Sequence, residues 1–486
     1  MTGPAPLAAP FVAAALARPD KLALHVGAKA LSYGALLGAA RRVAAGVAAL
    51  SGEAPPRVAV QMDNRAEFLE IVLGTVLGGG IVALLDPKWS AAQRQAALDL
   101  VRPAVLFDDP GAYRAWRDAQ PADRPFAEVA PATPFLIGFT SGTTGRPKAF
   151  IRSQASWVAT LDASRVEFAI GVGDGILVPG PLVHGLGLYA AVEGLAAGAT
   201  VHVLPRFDAG AALETLDAHG LTTLVAVPTM LVALLEEAGR RGVRLPSVRR
   251  VIASGAKLAP VVHERLASAF PEAGVFEYYG ASELSFVSVA PSRDGVPFDS
   301  VGRAFHGVEV QVRTADGRPA PRGEAGTVWV RSAMLSDGYI GPADGVGFRE
   351  EGGWATVGDQ GWIDEHGWLR LIGREGDMLI SGGLNVYPAE VEAVLREHPL
   401  VAEAVVLGLP DAYWGDAVTA VLWWRGAERA TLAELRAWCH ARLEGYKCPR
   451  RAFTARDVPL TGSGKIARAQ VRAWALTGSA ALEEIA

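Results

Sequence analysis

Up to about residue 300, short apolar runs alternate with longer amphipathic stretches. VAVQM at 58–62 reads as a short buried strand, the stretch from Arg65 to Leu77 as a helix, and 81–85 as another strand. The same rhythm returns between 175 and 250. There GILVP, TVHVLP, TTLVAVP and RRVIASG are β-rich runs, separated by helical stretches such as Ala209 to His219 and Met230 to Arg241. This alternation predicts parallel strands joined by helices, a layout that holds ligands at the carboxyl ends of its strands. Past residue 300 the period shortens. VEVQVR, GTVWVR and WLRLIGR alternate residue by residue between Gly- and Asp-rich turns, as antiparallel strands do. After Gly373 the pattern changes again: VYPAEVEAVLREHP is an amphipathic helix, AEAVVLGLP and AVTAVLWW are strands, and Leu432 to Leu443 is a further helix.

The expected fold class is therefore α/β. A large N-terminal domain (1–373) would carry parallel sheets and a small barrel-like part. A small α+β C-terminal domain (381–486) would follow a charged, Gly-rich linker, with a hinge at 374–380. A chain of 486 residues, half of them hydrophobic, has ample core material for that plan and is not a disordered protein. The net charge of −5 carries no basic field, so no nucleic-acid partner is expected. The longest uncharged apolar run, Ile71 to Leu85, is short of the roughly 20 residues of a membrane span and is broken by four glycines. No basic residue precedes the apolar N-terminal stretch, so a secretory signal is not expected either. Two cysteines, Cys439 and Cys448, cannot make a disulfide scaffold and suit a reducing, cytoplasmic setting. Cys439 beside His440 reads as packing rather than as a metal ligand pair. Arginines outnumber lysines 39 to 7, so each lysine stands out.

The densest chemistry is FTSGTTGRPKAF at 139–150. Thr140, Ser141, Thr143 and Thr144 are interleaved with Gly142 and Gly145, and Lys148 closes the run. Glycines let a backbone approach phosphate, while N–H groups, hydroxyls and one ammonium bind its oxygens. The spacing is not that of a Walker loop, and Lys148 is followed by Ala149 rather than by a hydroxyl residue.

This run resembles the phosphate loop of the adenylate-forming superfamily, in its acyl-CoA synthetase and aryl-CoA ligase branch, and further motifs of that family follow in order. SGAKL at 254–258 is similar to the turn whose Gly255 and Ala256 would line adenine. YYGASE at 278–283 is similar to the segment in which Tyr279 would stack on adenine beside Gly280, Ser282 would touch the α-phosphate, and Glu283, with Thr144, would hold Mg²⁺. In VGDQGWID the resemblance makes Asp359 the ribose reader, and in IGREGD it makes Arg374 its companion. SGGLNVYPAEVE at 381–392 offers Gly382 and Gly383 to a passing pantetheine arm, and VPLTGSGKIAR at 458–468 presents Lys465 as the lysine of the adenylation step. Together these imply ATP, Mg²⁺ and coenzyme A, with Lys465, Glu283, Thr140 and His184 as the catalytic set. The small domain would rotate between the two half-reactions. Gly376 stands where the hinge usually has Asp or Lys, and Arg152 departs from the usual residues after the loop lysine.

The same register makes PLVHGLGLY at 181–189 the mouth of an acyl pocket, with His184, Val225, Ser254, Tyr278, Gly280 and Ser285 as its wall. That wall has no Arg or Lys to pair with a second carboxylate, so an aromatic or medium-chain acid is expected. The acceptor would be coenzyme A or the phosphopantetheine of a separate carrier protein. An o-succinylbenzoate-type ligase fits as well, and a monomer or homodimer is expected. A dehydrogenase reading rests only on Gly185-Leu-Gly187 with Asp208 downstream, a weak pattern in a chain with 55 glycines.

Overall fold

The computed structural model describes residues 6–141, 147–341, 348–411, 413–461 and 465–485, apart from 51 and 53. The chain divides into two compact units, one of Met1–Val310 with Val330–Val357 and one of Gln311–Trp329 with Gly358–Ala486.

The larger unit holds two sheets. The first runs across nine strands, and its central strands Thr200–Val203, Gly175–Val178, Thr223–Ala226, Arg250–Ala253 and Gly274–Ala281 are neighbours in that order and all parallel. Helices Ala209–Ala218, Pro228–Arg241 and Pro260–Ala269 cover it, and leucines such as Leu216, Leu224, Leu231 and Leu266 form a continuous core. Each such side chain contributes about 1.5–3 kcal/mol by leaving water. The second sheet has parallel strands Val105–Phe107, Arg57–Val60, Ile81–Leu84 and Pro134–Ser141, with Pro147–Ser153 and Tyr339–Ile340 antiparallel at its far edge. The long apolar run is resolved into a buried helix, Ala66–Leu77, a glycine turn and the strand from Ile81. A Cβ on Gly74 would come within 2.3 Å of Val43, so this glycine lets the helix lie directly on Tyr33–Ala49.

The smaller unit contains the antiparallel hairpin Asp359–Ile363 with Leu369–Arg374 and a second, largely antiparallel sheet built on Val401–Asp411 and Gly415–Trp424. Both faces of that sheet are buried. Ala404, Val406, Ala420 and Leu422 pack on one side, and Val405, Leu407, Val421 and Trp423 on the other. Helix Leu432–His440 starts at a capping box, Thr431 with Glu434, worth about 1 kcal/mol. Cys439 and Cys448 are both buried in this core, and burial pushes the Cys439 thiol up to about 12, as packing residues rather than ligands. The stretch expected as a hinge lies inside this unit, where Glu375–Asp377 form a short 3-10 turn before the strand Leu379–Ser381.

Candidate active site

Four segments singled out in the sequence leave the carboxyl ends of adjacent parallel strands. The 180–184 loop follows Gly175–Val178, Val225 lies at the end of Thr223–Ala226, Ser254 and Gly255 follow Arg250–Ala253, and Tyr278 to Ala281 end Gly274–Ala281. Parallel register puts them on one edge of the sheet, where such folds hold ligands. Glu277, almost fully buried, ties two of them together: Lys257 Nζ donates to its Oε2 at 2.9 Å and the Leu258 N–H to its Oε1 at 3.2 Å. The turn carrying Gly255 and Ala256 is thereby fixed beside the Tyr278–Glu283 segment.

That segment is shaped by close backbone contact. A Cβ on Gly280 would fall 2.2 Å from the Ser285 carbonyl oxygen, so only glycine fits there. Ser285 has φ 61°, a left-handed conformation that costs a side-chain-bearing residue about 1–2 kcal/mol. Its Oγ lies 3.3 Å from Thr160 Oγ1. Arg152 is buried behind the turn and donates to the carbonyls of Ser282 and Met334 and to the hydroxyls of Ser156 and Thr160. Burial pulls its pKa down to about 10, which leaves it a cation at neutral pH, with Asp337, Tyr189 and Glu283 nearby. Arg152 thus braces the turn from inside. Glu283 follows, 8% exposed, with the Tyr339 hydroxyl donating to its Oε1 and its own carbonyl accepting from Ser336 N–H at 2.8 Å. The oxygen chemistry of a nearly buried carboxylate held by a neutral donor fits Mg²⁺.

His184 is the residue before helix Gly185–Ala196, and its Nε2 lies 3.5 Å from Asp86 Oδ2. Asn64 ties that loop to the end of strand Thr200–Val203: its amide nitrogen donates to the carbonyls of Gly180 and Leu204, and its oxygen accepts from Leu182 N–H. Tyr278 is hydrogen-bonded to Ser254, and burial raises its pKa, so it stays a neutral phenol. Of the phosphate run, Thr140 and Lys148 face each other as cross-strand partners. Gly142, Thr143, Thr144 and Gly145, and the Ser141 side chain, lie outside the described residues.

In the smaller unit Asp359 and Arg374 are cross-strand partners, and Arg374 Nε donates to Asp359 Oδ1 at 2.8 Å. Gly382 and Gly383 have φ of 61° and 79°, and a Cβ on Gly382 would meet the Trp414 ring at 2.9 Å. They line an open cleft of about 600 Å³ with Ile380, Tyr413 and Trp414, and Arg450 stacks on Trp414 with Cζ 3.3 Å from the ring centre. Lys465 is exposed, at the end of a loop closed by the Leu460–Ile466 bridge and by Thr461 N–H donating to the Lys465 carbonyl at 2.7 Å.

The sequence profile of the AMP-binding enzymes matches residues 11–340, and that of their C-terminal domain matches residues 390–465. The chain belongs to the AMP-binding enzyme family. It is 36% identical over 440 residues to the uncharacterized acyl-CoA ligase YhfT of Bacillus subtilis, covering 86% of this chain and 88% of that one. It is 30% identical to the 2-succinylbenzoate–CoA ligase of the same organism, over 93% of this chain and 95% of that one. The ATP-bound structure of MatB from Rhodopseudomonas palustris superposes with a TM-score of 0.88 at 27% identity, covering 97% of this chain and 99% of that one. Among the described residues, no helix is long and apolar enough to cross a membrane.

For an AMP-binding enzyme, the residues that sequence reading passed over are those that hold the motifs in place: Tyr339 on Glu283, Asn64 and Asp86 at His184, and Trp414 against Gly382. Tyr339 is 56 residues from Glu283. No spacing rule joins them; only the fold does.

Proposed function

We propose that this AMP-binding enzyme joins a carboxylic acid to AMP at the expense of ATP and then passes the acyl group to the thiol of coenzyme A. In the first step a carboxylate oxygen bonds to the α-phosphorus, the bond to the β-phosphate oxygen breaks, and pyrophosphate leaves. In the second, the thiol sulfur bonds to the acyl carbon, the bond to AMP breaks, the thiol proton goes to solvent, and AMP leaves.

The observation that carries this reading is the convergence of the adenine turn, the Tyr278–Glu283 segment and the His184 loop on one sheet edge. We assign Tyr279, Gly255 and Ala256 to adenine, Ser282, Thr140, Lys148 and the 141–145 loop to phosphates, and Asp359 with Arg374 to ribose. Glu283, with Thr144, would hold Mg²⁺, which when bound neutralises phosphate charge as the leaving group departs. Lys465 would bridge the two approaching anions, and Gly382 and Gly383, with Trp414, would pass the pantetheine arm. The small domain would turn about 374–380 between the steps.

For the acid we propose an aromatic or medium-chain monocarboxylate against Val225, Ser254, Tyr278, Gly280 and Ser285, with His184 at the mouth. The nearby cation, Arg152, spends its donors on Ser156, Thr160 and two carbonyls, so it is not offered to a second carboxylate. The 2-succinylbenzoate ligase likeness makes that acid the second reading. Two unpaired cysteines suit a cytoplasmic enzyme, as monomer or homodimer.

The test is ATP-dependent pyrophosphate release against a panel of acids, with and without coenzyme A. Sustained turnover that needs coenzyme A supports the reading and names the acid. A stoichiometric burst that coenzyme A does not turn into turnover points to a carrier-protein acceptor, and no release with any acid overturns acid activation.

A further inference from the structure

Three of the nine histidines meet outside these motifs. His25 on strand Leu22–Val26 and His202 on strand Thr200–Val203 are register partners on neighbouring parallel strands, so they stand on the same sheet face. His219 ends helix Ala209–Ala218 and reaches the same spot. The ring centres are 5.0 Å apart for His25 and His202, 5.4 Å for His25 and His219, and 4.4 Å for His202 and His219. One ring nitrogen from each lies within 4.8 Å of the other two.

Among the described residues, no carboxylate forms an ion pair with these three. His202 is 2% exposed, and its Nδ1 has no hydrogen-bond partner among the described residues. A buried ring nitrogen without a partner is costly, and a structure keeps few of them.

We propose that His25, His202 and His219 form a binding site for a divalent transition ion of the zinc class, separate from the magnesium that accompanies ATP. Three imidazoles select such an ion over magnesium, which takes oxygen ligands. Ligands at 2.0–2.1 Å from a tetrahedral ion are roughly 3.3 Å apart, so the triad must tighten to bind. His219 is exposed and at a helix end, the position from which a ring can swing inward. Water would complete the fourth position. Bound ion would then tie the strand Leu22–Val26 to the end of helix Ala209–Ala218.

The test uses untagged full-length protein, stripped with chelator and free of ATP and Mg²⁺, titrated with Zn²⁺ against a chromophoric zinc indicator. Wild type takes up one equivalent at micromolar or tighter affinity, and His219→Ala weakens it at least tenfold. Because His219 is exposed, that variant keeps its fold; pyrophosphate release with Mg²⁺ verifies this. His25→Gln repeats the loss from the strand side, and zinc raises the Tm of wild type but not of either variant. No uptake by wild type, or equal uptake by wild type and His219→Ala, overturns the site.

Discussion

Glu283 in the larger unit and Asp359 in the smaller are both carboxylates left 8% and 7% exposed, and the difference lies in what holds them. Glu283 receives a neutral phenol hydrogen from Tyr339, which orients the carboxylate, while the nearby Arg152 cation gives its hydrogen bonds to Ser156, Thr160 and the carbonyls of Ser282 and Met334. Asp359 receives a guanidinium from Arg374, a full opposite charge at 2.8 Å. A carboxylate oriented by a neutral donor suits a metal ion, and one already bonded to a guanidinium suits hydroxyl hydrogens. A third buried carboxylate sharpens the contrast. Glu193 has an oxygen without a hydrogen-bond partner among the described residues, and burial raises its pKa to about 7. The Ser164 hydroxyl and the Arg250 charge both favour the anion but do not offset its burial, so it takes up a proton more readily than an ordinary carboxylate.

The largest effect we expect is from Lys465→Ala, which removes a cation that neither carboxylate can replace. Adenylation falls by about 10²–10³-fold, as for loss of one preorganised electrostatic contact, while thioester formation from supplied acyl-adenylate is kept. Stopped-flow measurement of the two half-reactions separates these, and an equal fall in both contradicts the role. Glu283→Gln follows, with adenylation down about a hundredfold and a raised Mg²⁺ requirement.

Next comes Glu193→Gln, read in stability. The folded pKa lies above the ordinary carboxyl value, so this group's contribution is full below about pH 4.5 and is lost as pH rises through 7. The variant does not titrate there. Its stability relative to wild type therefore rises by about 2–3 kcal/mol between pH 4.5 and 8 in urea unfolding, and a difference independent of pH would show that Glu193 is not protonated in the fold. Asp359→Asn should raise KM for ATP about tenfold with the Mg²⁺ requirement unchanged. Tyr339→Phe is the mildest, a few-fold loss worth about 1 kcal/mol, and it should move the Mg²⁺ requirement in the direction that Glu283→Gln does.

Much of the fold was legible because period and turn residues carry it. The strands at 175–178, 223–226 and 250–253 and the helices between them are local patterns, and the apolar run at 71–85 divides at Gly78 to Gly80 into a helix and a strand. Boundaries moved by a few residues at ends, as with the helix that closes at His440 rather than Leu443, since helix ends fray into turns. The parts that could not be read are long-range. Arg152 stood out only as a departure from the usual residues; its burial behind the turn depends on the carbonyls of Ser282 and Met334, 130 and 182 residues away. Tyr339, Asn64 and the His25–His202–His219 triad are likewise products of strand order, which a single sequence does not encode residue by residue.

The contrast between the two carboxylates is tested most directly by Mg²⁺ titration of pyrophosphate release, at saturating ATP and acid, for wild type, Glu283→Gln and Asp359→Asn. The account predicts that the half-saturating Mg²⁺ concentration rises about tenfold or more in Glu283→Gln and stays at the wild-type value in Asp359→Asn. Equal shifts in both variants, or a shift in Asp359→Asn alone, would contradict it.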